Sequence, residues 1–259
     1  MSNKPLILIT NDDGYSAPGL NALIDMVSEF ARVIAVAPEI SQSGKSHAIT
    51  MDHPLFIRKV RQDKDILVYA CSGTPTDCVK LAFDRILQER PVLTLSGINH
   101  GSNSAISVIY SGTIGAAAEA SYYGIPAVGL SLIDHNTMAD LTAAVEYSKR
   151  IILDLINRND LPKPLCLNVN IPAIGIESIK GIKLCRQTRG VWIEEFEQRF
   201  DPKGREYYWL GGEFHDREDG DRTETDQWAL NNGYVSVVPV EMYDMTSYST
   251  LELLKDIIK

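Results

Sequence analysis

The stretch Leu6-Ile7-Leu8-Ile9-Thr10-Asn11-Asp12-Asp13-Gly14 decides the fold. Four branched aliphatic residues run without interruption, and the chain then turns at once to an amide, two adjacent acids and a glycine. A short continuous apolar run closed by turn residues suits a strand buried on both faces, as in a parallel sheet. Helical spacing follows: Leu20, Leu23, Ile24, Val27 and Phe30 share one face and predict a helix over Asn21–Phe30. Working outward, strands are predicted at Val33–Ala37, Val92–Ser96, Pro126–Leu132 and Leu165–Val169. Helices are predicted at Thr76–Leu87, Thr113–Tyr123 and Thr137–Ile156, the last with Thr137 and Asp140 as a capping box. This alternation predicts a doubly wound, mostly parallel, Rossmann-like α/β sheet.

After about Pro172 the runs shorten and glycines and charges become frequent. The expected division is an α/β core over 1–172 and a β-rich extension over 173–259 that completes the same domain and carries the oligomer interface. Within the extension, Val191–Leu210 mixes aromatics with charge and reads as an arm or insertion. Tyr234–Val240 reads as a strand and Ser247–Ile258 as a terminal helix.

Composition bounds the function. The 259 residues are 44% hydrophobic and 23% charged, ordinary values for a globular chain with a substantial core. The net charge is −9, so the global basic field that duplex nucleic acid or an anionic membrane attracts is missing. Mapped along the chain, that charge is uneven: Glu194–Asp226 holds twelve acids against five bases. The α/β part is therefore close to neutral. No apolar run approaches the ~18 residues of a membrane span, and the start lacks the basic and apolar pattern of a signal peptide. Cys71, Cys78, Cys166 and Cys185 are scattered, with no CxxC pair, which fits reduced thiols and a cytoplasmic location.

In open α/β sheets ligands bind beyond the carboxyl ends of the strands. Three segments leave those ends: Thr10–Gly14, Ser41–Ser46 and Ser96–Asn103, all rich in Gly, Ser, Asn or Asp. Asp12, Asp13, Asn99 and the Ser43 hydroxyl form a set of hard oxygen donors, suited to Mg²⁺ or Mn²⁺, with Ca²⁺ as a structural occupant. Read alone, Asp12-Asp13-Gly14 is also an ordinary turn; convergence of the three loops favours the cation. Tyr110-Ser111-Gly112-Thr113 leads into a helix whose free N–H groups and hydroxyls can cradle a phosphate, or simply cap the helix. Other signatures fail. Gly44-Lys45-Ser46 lacks the glycine a P-loop needs at position 39, which is Glu39, and neither GxGxxG nor GxSxG is present. The five histidines follow no ligand spacing.

These motifs resemble the SurE survival-protein family of 5′-nucleotidases. The likeness rests on Asn11-Asp12-Asp13-Gly14 with Ala17-Pro18-Gly19, Ser43-Gly44-x-Ser46, Gly73-Thr74-Pro75-x-Asp77, Ser96-Gly97-Ile98-Asn99-x-Gly101-x-Asn103 and Tyr110-Ser111-Gly112-Thr113. Thr225-Asp226 and Gly233-Tyr234-Val235-Ser236 extend it late in the chain. The resemblance implies a metal-dependent phosphatase of nucleoside 5′- and 3′-monophosphates, and of short polyphosphate, assembled as a homodimer or homotetramer. It implies metal ligation by Asp12, Asp13, Ser43 and Asn99. It also implies phosphate contacts from Gly44, Asn103, Ser111, Gly112 and Thr113, with Asp13 and Asn103 as catalytic groups. A metal-dependent nucleoside hydrolase and a non-catalytic nucleotide-binding regulator stay open as alternatives. The Ser111 turn weighs against the former, because cleaving a ribosidic bond requires no phosphate cradle.

Overall fold

Leu6–Thr10 forms the expected strand, β1, and each of its residues is buried. Its side chains alternate between two faces. Ile7 and Ile9 join a core with Leu20, Leu23, Ile24 and Val27, while Leu8 joins Val36, Cys71 and Cys78 on the other side. Such two-sided burial, worth about 1.5–3 kcal/mol per large aliphatic side chain, explains why the run tolerates no polar residue.

A computed structural model describes residues 4–258 apart from 159, 194, 219–221 and 256. The outer limits of the expected division, Met1 and Lys259, lie outside the described residues, as do Glu194, Asp219 and Asp221 of the acidic segment. After β1 come α1 (Pro18–Ser28), β2 (Arg32–Pro38), β3 (Ile57–Gln62), β4 (Ile66–Cys71) and α2 (Pro75–Leu81), which runs on into a π-helical turn. Then follow β5 (Leu93–His100), a 3-10 segment (Ala105–Tyr110), α3 (Gly112–Tyr122), β6 (Ala127–Leu132), α4 (Thr142–Ile156) and β7 (Cys166–Ile171). The rest comprises β8 (Gly181–Leu184), β9 (Gly190–Ile193), β10 (Phe196–Phe200), β11 (Glu206–Leu210) and β12 (Glu213–Asp216). It ends with α5 (Asp226–Asn231), β13 (Tyr234–Pro239) and α6 (Tyr248–Leu254).

One sheet has the order β3-β4-β2-β1-β5-β6-β7-β13-β8. Strands β4 through β7 in that order are parallel. Only the β3–β4 and β7–β13 pairs are antiparallel. Helices α1 and α4 cover one face, and α2 and α3 cover the other. The chain first winds outward from β1 to β2 and β4, then crosses back to place β5 on the opposite side of β1. The strand order therefore reverses between β1 and β5, and their carboxyl ends flank the crevice where ligands bind in such sheets.

Several expectations need correction. The helix expected from Thr137 begins at Thr142, and Asp140 accepts from the Thr142 N–H and hydroxyl instead of closing a capping box with Thr137. The helix expected over Thr76–Leu87 stays α-helical only to Leu81. The strand expected to end at Ser96 continues to His100 through a register shift against β6 between Ser96 and Asn99. Strands β3 and β4 were not foreseen. The arm is an antiparallel ribbon, with β9 paired to β12 and β10 to β11.

Candidate active site

Asn11 builds the turn that presents the acids. Its side-chain nitrogen donates to the Gly14 carbonyl, and its oxygen accepts the Gly14 N–H at 3.3 Å. Gly14 sits at φ +105°, a conformation that favours glycine. Asp-Asp-Gly is thus a turn, as its composition suggests, and its two carboxylates stand at the carboxyl end of β1.

Asp12 is only 4% exposed. Burial pushes its carboxyl up to about 6, with the neighbouring Asp13 adding to the rise and hydrogen bonds from Thr113 opposing it. The Thr113 hydroxyl donates to Asp12 Oδ1, so the first turn of α3 is docked on this carboxylate. Gly112 makes the approach feasible: a Cβ there would lie 2.9 Å from Asp12 Cβ and 3.0 Å from Oδ2. Asp13 is less buried; burial raises its carboxyl too, opposed by the His100 N–H, which donates to Oδ2 at 3.3 Å. Neither acid has a Lys or Arg partner among the described residues.

Asn99 lies at the end of β5, 9% exposed. Its side-chain nitrogen donates to the Gly101 carbonyl at 2.8 Å, which leaves the side-chain oxygen as its available donor atom for a cation. Just before it, the Gly97–Ile98 peptide is cis, and a Cβ on Gly97 would stand 2.3 Å from the Leu130 carbonyl oxygen. Ser43 and Gly44 lie on an exposed loop. The Gln42 N–H donates to the Asp12 carbonyl at 2.7 Å, tying that loop to β1, while Ser43 Oγ shares a hydrogen bond with Ser41 Oγ.

Ser111 caps α3, accepting the Ile114 N–H at 3.1 Å, so its own hydroxyl proton remains to donate. Asn103 is held more tightly than its sequence suggests. Its N–H donates to Asn170 Oδ1, its carbonyl accepts from Asn168, and its side-chain nitrogen donates to Ser131 Oγ at 2.9 Å. Asn168 and Asn170 are linked to each other at 2.9 Å. The strand expected over Leu165–Val169 stops short of Asn170; two asparagines at alternate positions, Asn168 and Asn170, are the signal in the sequence for this polar network. In the sequence Asp226 stands out only as part of the Thr225-Asp226 motif. It is fully buried, accepts the Ala105 N–H at 2.8 Å and also takes the Thr188 hydroxyl, so it anchors the segment after Asn103 to the base of the ribbon.

The structure brings Asp12, Gly112 and Thr113 together, bonds Asp13 to the His100 N–H next to Asn99, and ties the Ser43 loop to Asp12 through Gln42. Two carboxylates, an amide oxygen and a hydroxyl fit a hard divalent cation. Among the described residues no three His, Cys, Asp or Glu side chains group as a metal site, so the neutral oxygens would have to complete it.

This is a doubly wound α/β protein with a paired-acid, helix-capped site at its topological switch point. A family model described as "Survival protein SurE" matches residues 7–194. A protein named 5′-nucleotidase SurE from Flavobacterium psychrophilum is 49% identical over 255 residues, covering 98% of both chains. Another of that name from Christiangramia forsetii is 50% identical over 247 residues, covering 95% of this chain and 94% of its own. The crystal structure of the SurE protein from Aquifex aeolicus superposes with a TM-score of 0.83 at 36% identity, covering 98% of this chain and all of that one. The chain belongs to the SurE survival-protein family.

Proposed function

We propose that this chain is a divalent-metal-dependent phosphomonoesterase, a 5′-nucleotidase that also takes 3′-nucleotides and short polyphosphate. One observation carries the reading: Asp12 and Asp13 are neighbouring acids at the switch point, both raised by burial, and among the described residues neither has a Lys or Arg partner. Near-full-length likeness to proteins named 5′-nucleotidase supports the reaction class.

Asp12, Asp13, Ser43 and Asn99 would hold the cation, Mg²⁺ or Mn²⁺, which would supply neutralisation of phosphate charge and activation of water. Thr113 keeps Asp12 oriented. Because Thr113 is committed to Asp12, the Ser111 hydroxyl and the Gly112 N–H take most of the phosphate contact at the α3 N-terminus. Gly44, on the exposed Ser43 loop, is the further phosphate contact. Asn103 reaches it by exchanging Ser131 for a phosphate oxygen. Asp13, the more accessible acid, orients the attacking water in line with the leaving nucleoside oxygen. The division into a core over 1–172 and an extension over 173–259 is functional: the core carries the chemistry and the extension the assembly. The ribbon exposes Phe196, Phe200, Trp209 and Leu210, which suits a homodimer or homotetramer. Four free, buried cysteines suit the cytoplasm.

Phosphate release from nucleoside monophosphates, measured with Mn²⁺, Mg²⁺ or chelator, tests the reading. Release of free base would favour the nucleoside hydrolase, and binding without turnover the regulator.

A further inference from the structure

The mechanism leaves a buried charged cluster on α3 unused. Glu119, in the third turn of α3, is 8% exposed and bonded on both oxygens: His47 Nε2 lies 2.9 Å from Oε2, and Lys80 Nζ of α2 donates to Oε1 at 3.0 Å. The His47 ring also stacks on Tyr122, with centroids 5.7 Å apart. His47 lies four residues beyond Ser43, on the same loop.

That loop has two unequal halves. From Ser46 onward it is fastened at several points. Ser46 N–H and Oγ donate to the carbonyls of Tyr110 and Ile109. The Ala48 carbonyl accepts from Thr74 Oγ1 at 2.7 Å, and the Thr50 N–H donates to Asp77. Gly115 lets the loop lie against the first turns of α3, since a Cβ there would be 2.7 Å from the Ser46 carbonyl oxygen. The half bearing Ser43 and Gly44 is exposed and touches the core through the Gln42 N–H. Among these fastenings, the Thr50 N–H reaches the buried Asp77 on α2, whereas His47 reaches the buried Glu119 on α3, the helix whose N-terminus docks on Asp12.

We propose that the His47–Glu119 pair, braced by Lys80, is a latch that fixes the pose of the Ser43–Gly44 half-loop over Asp12, making His47 and Glu119 positioning residues. The proposal rests on the reading of Ser43 as a metal ligand. Breaking the latch frees the half-loop without touching the donor set. Partners that orient first-shell ligands typically change metal affinity about 10–100-fold, leaving the chemistry of the filled site intact.

Lys45 supplies a direct readout, because it lies in the exposed half-loop and is a trypsin site. In His47→Ala and Glu119→Gln, cleavage after Lys45 is expected to quicken roughly tenfold, and the Mn²⁺ concentration for half-maximal activity to rise roughly tenfold. The rate at saturating Mn²⁺ stays within about twofold of the parent, and His47→Gln, which keeps a donor to Glu119, restores both. Trypsin cleavage at sites outside residues 41–50 and the melting temperature report whether each variant is folded. Ser43→Ala separates the two ideas: it is expected to weaken Mn²⁺ activation with Lys45 cleavage unchanged. Normal Mn²⁺ activation in Ser43→Ala would overturn the ligand reading alone. Parent-like Lys45 cleavage in folded His47→Ala and Glu119→Gln would overturn the latch.

Discussion

Gly112 carries no side chain, and the Asp12 carboxylate occupies the room that leaves. Its backbone is helical, so alanine there meets no φ penalty; the added methyl meets Asp12 directly. Gly112→Ala should therefore lower kcat/KM more than tenfold, against a destabilisation of only about 1–3 kcal/mol, the usual range for overpacking. Steady-state kinetics beside denaturant unfolding would check this, and unaltered kcat/KM would contradict the close Asp12–α3 docking. Asn170→Ala should remove the acceptor of the Asn103 N–H and cost about 1–3 kcal/mol in unfolding free energy, because a buried donor is left unpaired. The acids, Asn99 and the Ser111 turn were legible as residues because oxygen donors beside glycine at strand ends have a recognisable chemistry. Their mutual commitments were not. Thr113 and Asp12 are 101 residues apart, and nothing local in either segment says that the hydroxyl serves the acid before any phosphate.

Among elements, those with a strong period were readable. Strand β1 and helix α1 came through with boundaries shifted by three residues at most. Strand β3, Ile-Arg-Lys-Val-Arg-Gln, did not, because it lies at the sheet's edge with an outward, charged surface and no buried face to impose alternation. The start of α4 was misplaced because Thr and Asp serve a local turn as readily as a cap: Asp140 bonds Thr142 two residues on. At α2, a capping box of Thr74 and Asp77 holds the N-terminus, and Thr74→Ala should cost about 1 kcal/mol in denaturant unfolding. The junction of α2, α3 and the Ser43 loop has a pH signature. Burial pushes Glu119 up, but the hydrogen bonds and charges of His47 and Lys80 outweigh it and hold the carboxyl below its ordinary 4.5. A depressed carboxyl stabilises the fold above its unfolded value, and that contribution fades as pH falls through the folded value. The melting-temperature advantage of the parent over Glu119→Gln should hold at neutral pH and shrink below about pH 4.5; an advantage that grew there would contradict the pairing.

At the scale of the whole molecule, doubly wound topology was legible because buried parallel strands and amphipathic helices alternate, and because Gly- and Asp-rich segments mark the strand ends. The ribbon's strand pairing was not, since Trp192, Phe196 and Trp209 are partly or largely exposed and their pattern answers to no core within the chain. Charge tells a similar story. The net −9 argues against polyanions until it is mapped along the sequence: most of it belongs to Glu194–Asp226, and the part that carries Asp12 and Asp13 is close to neutral. On the proposed homo-oligomer, charge substitution of Phe196 and Trp209 on the ribbon should lower the mass in light scattering with the α/β core still folded; an unchanged mass would contradict assembly through the ribbon. The proposed function places nucleotide hydrolysis, with a divalent cation, at Asp12 and Asp13. Phosphate release from nucleoside 5′-monophosphates by the parent and Asp12→Asn, with Mn²⁺ and with chelator, tests it most directly. Release by the parent is expected to stop with chelator and to fall at least about a hundredfold in a folded Asp12→Asn protein, as loss of a principal charge-stabilising group does. Undiminished release by Asp12→Asn, or by the parent in chelator, would contradict it.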